Sequence, residues 1–394
     1  MFKGLTAVAG AVAMLSGAML SGVVQAADVK VGYSISRTGF LASAVSVQEQ
    51  AYILWREQVN ARGGLNIGGK EKRKIAEFVS YDDQTDAGKI PQIYEKLIGD
   101  DNVDLLLAPY ATFLHVAITG VVEKNKFPLV GNTASSVLIR DLNAKYMFFT
   151  EVLPDEYSAV VVNFLKSQGL KRAALLTLQT SFTLEMKKFT KPLLEKAGIE
   201  VVIDQEYPFE IKDFTSIVTG IKQSNVDTVI GYTYPADSIM YMDKARELNV
   251  TAPFQFLLIG PSIPFFHAKY GKNLDGMVSV GHWAPNAGFT GGQAFHDAYS
   301  KRWKEKPDYL DSVIAYVSVQ ILEEAVAKGG LDKEKLRDAI AGGDFDTIMG
   351  QVKFKNNNNA TTSPGLLQYQ NGLNEIIWPP SIATSKFITK PAWQ

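Results

Sequence analysis

Two turns of small hydroxyl residues are the places in this sequence where a ligand could be held. Val103 to Ala108 is a short apolar run, and Tyr110-Ala111-Thr112 follows it where a helical pattern begins. Phe127 to Val130 repeats the device and ends in Gly131-Asn132-Thr133-Ala134-Ser135-Ser136. A helix that starts after such a turn leaves main-chain N–H groups unpaired and aimed at the turn. A carboxylate or similar acceptor can then be held without Lys or Arg. Thr112 can also cap its helix, and one of Thr133, Ser135 and Ser136 the next, a role compatible with ligand contact. Two such turns on neighbouring strands make one site.

Aromatic residues occupy equivalent places further along. Phe182 lies in the QTSFT turn after the apolar run Ala173 to Leu178, and Tyr232 and Tyr234 lie in GYTYPAD after Val226 to Gly231. An aromatic after a strand is ordinarily core. Ligands of open α/β sheets, however, bind outside the carboxyl ends of the strands, which makes these three residues candidates for a crevice lining. Other chemistry finds little support. G-x-S-x-G, H-E-x-x-H, a phosphate loop and G-x-G-x-x-G after a strand are all missing from the sequence. His115, His267, His282 and His296 are scattered without metal-ligand spacing, and Asp82-Asp83 reads as a solvated strand end. No enzyme, cofactor or metal is therefore expected. The rival from another class is a secreted hydrolase or lyase using His115 or His282.

The elements that must position these turns alternate. Asp28 to Ser36 reads as the first strand, turning at Arg37-Thr38-Gly39. From Ala42 to Arg62 apolar residues recur at helical spacing until Gly63-Gly64, where a left-handed cap is wanted. Lys74 to Tyr81 is the next strand and Asp86 to Ile98 the next helix. Strands alternating with helices of ten or more residues predict a parallel sheet covered on both faces. A second series of the same kind runs from Ser158 to Leu258. Two helices, Gly292 to Trp303 and Ser312 to Ala327, then suit a return to the first lobe, and the tail from Gln351 reads as β-ribbon with polar turns.

Composition narrows the class further. Residues 1–26 carry an early Lys3, a long run of apolar and small residues, and Val24-Gln25-Ala26 as an export-cleavage site. Without Lys3, 39 basic residues face 41 acidic ones, a formal charge of −2 that argues against nucleic acid. The absence of Cys excludes disulfides and thiolate chemistry. A bacterial periplasm is the natural setting, and two domains the natural division of this length.

Three local patterns together resemble the branched-chain amino acid class of type I periplasmic solute-binding proteins of ABC importers. They are VGYSISRTGFLASAVSVQEQAYILWREQVNARGGL with the later YDDQTD, then LLLAPYATFLHVA with VGNTASS, and then FLLIGPS. The resemblance implies two doubly wound α/β lobes joined by three crossovers. The first lobe would comprise 28–149 and 281–348, the second 150–280 and 349–394, following the leader 1–26. It also implies a monomer that closes on a small ligand and delivers it to a membrane permease. Carried over by position, the carboxylate-holding residues fall on Ala111 or Thr112 and on Thr133 and Ser135, beside Tyr110. Amino-acid binders of this class usually place an acid after the Gly-Pro that follows the FLLI-like strand, to pair with the ligand ammonium. Here Gly260-Pro261 is followed by Ser262, with Asp237 or Glu151 left as substitutes. An unpaired buried ammonium is costly, so the expectation is a small organic acid, aromatic in type, sandwiched by Phe182, Tyr232 and Tyr234. The alternative is an amino acid or small amide, favoured if an acidic residue reaches the pocket.

Overall fold

The computed structural model describes residues 27–394 together with Met1 and Gly4. The expected leader otherwise lies outside the described residues. In the first lobe the opening alternation becomes the strand Val31–Ile35, every residue of it buried. It runs parallel between Val79–Asp82 and Leu105–Leu106. Burial on both faces follows from its central place, with helices covering either side. The helix Ser46–Ala61 ends at Gly63 and Gly64, whose φ values of 94° and 107° are open to glycine at little cost. A second sheet of this lobe contains Leu129–Gly131 and Met147–Phe149, paired in parallel. The helices Gly292–Trp303 and Asp311–Gly329 return to this lobe and pack on Ser46–Ala61.

The second lobe is built on one seven-stranded sheet. Glu200–Tyr207, Arg172–Leu178, Thr228–Tyr232, Phe254–Leu257 and Met277–Val280 lie side by side in parallel. Leu366–Gln370 then joins antiparallel and Leu373–Trp378 completes the edge.

The tail departs from the expected boundary at 349. Gly350–Lys355 and Asn358–Asn359 belong to the first lobe, because Asn358 pairs in parallel with Phe149. The asparagine run explains this. Asn356 and Asn357 take positive φ (49° and 60°), a conformation Asn tolerates, and so bend the chain back. The Asn357 amide donates to the carbonyls of Ala144 and Met147, and Asn359 donates to that of Thr150 at 2.9 Å. The run read as a polar turn is thus stitched to the strand beside it. The third passage between lobes falls after Asn359 and before Leu366.

The lobes face each other across the carboxyl ends of their parallel strands, where an open α/β sheet leaves a crevice. Phe40 of the first lobe packs edge-on against Phe209 of the second, with ring centroids 4.5 Å apart. The Glu185 carboxylate, from the helix Ser181–Lys196 of the second lobe, accepts hydrogen bonds from the Ser136 hydroxyl (2.8 Å) and the Val137 N–H (3.0 Å) of the first. These contacts describe a closed crevice.

Candidate functional site

Space of about 370 Å³ free of protein atoms, part of it open to solvent, lies between the lobes. The first lobe lines it with Tyr110, Ala111, Thr133 and Ser135, each a few residues beyond the end of a parallel strand. Phe182, Tyr234 and Ile259 stand at the matching strand ends of the second lobe. Glu151 follows the strand Met147–Phe149, and Tyr157 belongs to the helix Pro154–Ser167 that comes next. Val280, Leu310 and Asp311 complete the wall.

The two hydroxyl turns are locked to each other. Ala111 caps the helix Thr112–Lys124 with φ 70° and ψ 148°, and its N–H donates to the Thr133 hydroxyl at 3.0 Å. The Thr112 hydroxyl accepts from the Ser135 N–H (3.0 Å) and donates to the Ser135 carbonyl (3.2 Å). Thr112, expected at the ligand, therefore lies behind the wall and braces it. Below these turns, the fully buried Gln48 donates to the carbonyls of Ala108 (3.1 Å) and Pro109 (3.0 Å). Asn132 meanwhile donates to the hydroxyls of Tyr52 and Ser318. A satisfied buried network of this kind fixes the height and angle of the cradle.

Of the expected aromatics, Phe182 and Tyr234 reach the cavity and Tyr232 does not. Tyr232 is still inside the strand, in register with Thr177, and its hydroxyl meets Thr190 of the overlying helix. Tyr234 lies past the strand end and caps the helix Pro235–Glu247, which frees its ring for the crevice. His115 and His282, the residues on which the hydrolase rival rests, are buried and neither lines the cavity.

The acids change the chemistry. Ser262 is absent from the wall, and its carbonyl accepts from the Asn374 amide at 3.1 Å. Asp237 is also behind the wall, accepting from the Tyr234 N–H (2.9 Å) and the Tyr207 hydroxyl (2.6 Å); burial pushes its carboxyl up to about 7. Glu151 does line the cavity. Burial pushes it up to about 7 as well, against the pull of the Tyr157 hydroxyl and the Val152 N–H.

Asp311, which sequence reasoning missed, is the second acid in the wall. It accepts from the Tyr110 hydroxyl at 2.6 Å, and burial, then the neighbouring Asp308, raises it well above the usual carboxylate range. Asp308 is held by the N–H groups of Leu310 (3.1 Å), Asp311 (2.7 Å) and Ser312 (2.6 Å) at the start of the long helix. That Asp-x-x-Asp pattern at a helix start was the available signal for Asp311. None of the lining residues is Lys, Arg or His. The wall thus offers two carboxyl groups, phenols, hydroxyls and apolar surface.

Comparison with known proteins agrees with this architecture. Residues 28–372 match the family model described as periplasmic binding protein. A Leu/Ile/Val-binding protein homolog 7 of Brucella suis biovar 1 (strain 1330) is 25% identical over 399 residues, covering 95% of this chain and 98% of its own. A solute-binding protein of an ABC transporter from R. palustris, solved in complex with benzoate, superposes with a TM-score of 0.78 at 22% identity, covering 91% of this chain and 98% of that one. A branched-chain amino acid transporter substrate-binding protein from Streptococcus pneumoniae, solved with isoleucine, gives 0.79 at 20% identity, covering 89% and 100%. The chain belongs to the periplasmic binding protein family.

Proposed function

We propose that this solute-binding protein captures a small, largely apolar amino acid between its lobes in the periplasm, as a monomer, and hands it to the membrane permease of an ABC importer. The observation that carries this reading is the pair of carboxyl groups, Glu151 and Asp311, in a wall without a basic side chain. An ammonium placed between them supplies the opposite charge that their burial lacks, and their raised pKa values fall back as it arrives. The ligand carboxylate is held at the turns Tyr110 to Ala111 and Thr133 to Ser135 by the Thr133 hydroxyl and the turn N–H groups left over, because the N–H groups of Ala111, Thr133 and Ser135 are spent on bracing the turns. Phe182, Tyr234, Ile259, Val280 and Leu310 enclose the apolar side chain. This reading replaces the organic acid expected from Ser262, because the acids come from elsewhere in the chain.

A second reading keeps an aromatic carboxylate. Four rings in the wall favour it, those of Tyr110, Tyr157, Phe182 and Tyr234, as does the benzoate-bound relative of the same fold. It requires Glu151 and Asp311 to be protonated, since two anions and a ligand carboxylate cannot share a poorly hydrated crevice.

A thermal-shift panel of leucine, phenylalanine and benzoate at pH 7.5 separates the two. A ligand at a hundredfold excess over Kd stabilises by about 2.7 kcal/mol. Leucine or phenylalanine is expected to raise Tm and benzoate to leave it unchanged. The opposite pattern overturns the amino-acid reading.

A further inference from the structure

We propose that His115 is a positioning residue of the ligand site, whose imidazole holds Ala111 in the left-handed main-chain conformation that presents the first cradle turn to the cavity. The proposal rests on the ligand lying in the crevice between the lobes, and not on which ligand it is.

Ala111 lines the cavity at φ 70° and ψ 148°, a region that a residue with a Cβ enters only when its surroundings force it. Both ends of its peptide unit are clamped. The N–H donates to the Thr133 hydroxyl at 3.0 Å, and the carbonyl accepts from His115 Nδ1 at 2.9 Å and from the His115 main-chain N–H at 3.2 Å. The ring contact fixes the tautomer, with the proton on Nδ1. Burial drives the imidazole down to about 4, so it is neutral wherever the protein works, although the Ala111 carbonyl pulls the other way.

The rest of the ring serves no second polar partner. Nε2 is buried without a hydrogen bond, a cost that an apolar residue here would avoid. His115 fills the space over Gly131, where a Cβ would come within 3.0 Å of its Cδ2 and 3.1 Å of the Phe149 ring. The imidazole is thereby wedged between the strand that leads to the second cradle turn and the strand that leads to Glu151. A side chain wanted only for packing would not carry the lone unpaired nitrogen. One wanted for its Nδ1 donor accepts that cost.

The test uses the full mature chain with Ala111→Gly, His115→Phe, the double variant, and His115→Asn, whose amide nitrogen can stand near the place of Nδ1. Two readouts need no ligand. Ala111→Gly is expected to raise Tm by roughly 1–3 °C, because glycine enters this conformation without strain. The ¹⁵N spectrum of His115 should show a neutral ring protonated on Nδ1 at pH 6.

The remaining readout is calorimetry with leucine, phenylalanine and benzoate. For whichever of these binds the unmodified protein, His115→Phe should weaken binding at least tenfold. The double variant should regain most of that loss, and His115→Asn should lose less than His115→Phe. A lower Tm for Ala111→Gly, a proton on Nε2, or strictly additive losses in the double variant would overturn the proposal. If none of the three probes binds, the ligand reading fails, while the Tm and the tautomer still decide the clamp.

Discussion

Glu151 is a carboxyl group whose neutral, protonated state the fold favours. Its pKa is raised to about 7 in the closed molecule by burial, from an ordinary 4.5. The folded chain therefore binds the proton more tightly than the unfolded chain does. The stability this contributes is complete below the ordinary value and is lost as pH rises through about 7. Glu151→Gln, which cannot ionise, is expected to raise the Tm of the ligand-free protein at pH 8 relative to the unmodified chain, and to change it little at pH 4.5. Thermal melts at the two pH values check this, and an equal effect at both would contradict it. At the same scale, the sequence made legible those lining residues that directly follow a strand: Tyr110, Ala111, Thr133, Ser135, Phe182 and Tyr234. Tyr157 and Asp311 were not legible, because each sits in the first turn of a helix, and nothing in linear order brings position 311 beside position 110. Tyr232 was misplaced because the strand ends one residue later than the turn residues imply, leaving its ring on the core side.

Between elements, the decisive contacts are those that join a turn of one lobe to a helix of the other. The Glu185 carboxylate reaches from the second turn of Ser181–Lys196 to Ser136 and Val137, at the start of the short helix Val137–Asp141 that follows the second cradle turn. A carboxylate at that position satisfies N–H and O–H donors that water would hold in an open form, so the contact belongs to the closed state. Glu185→Ala is expected to weaken ligand binding by roughly tenfold, through loss of charge-assisted hydrogen bonds of about 1.5 kcal/mol. Calorimetry on the pair of proteins checks it. Unchanged affinity would mean the contact is incidental. The alternation of strands and helices was readable because its periods differ so clearly. The tail was read less well, since a run of four asparagines says only that the chain turns, and the strand it turns onto lies some two hundred residues earlier.

At the scale of the whole molecule, two lobes bring together groups that neither holds alone: the two hydroxyl turns and Asp311 on one side, aromatic and apolar walls on the other, with Glu151 at the first passage between them. On the reading proposed above, closure by hinge motion excludes water from this set and the electrostatic demand of its two acids selects the ligand. The central claim is that the ligand brings an ammonium. Calorimetry at pH 7.5 on matched pairs that differ only in that group, leucine against 4-methylpentanoate and phenylalanine against 3-phenylpropanoate, tests it most directly. The amino acid of at least one pair should bind a hundredfold or more tighter than its partner, a difference of about 2.7 kcal/mol. Equal or tighter binding of the plain acids would contradict the claim and leave the aromatic carboxylate as the ligand.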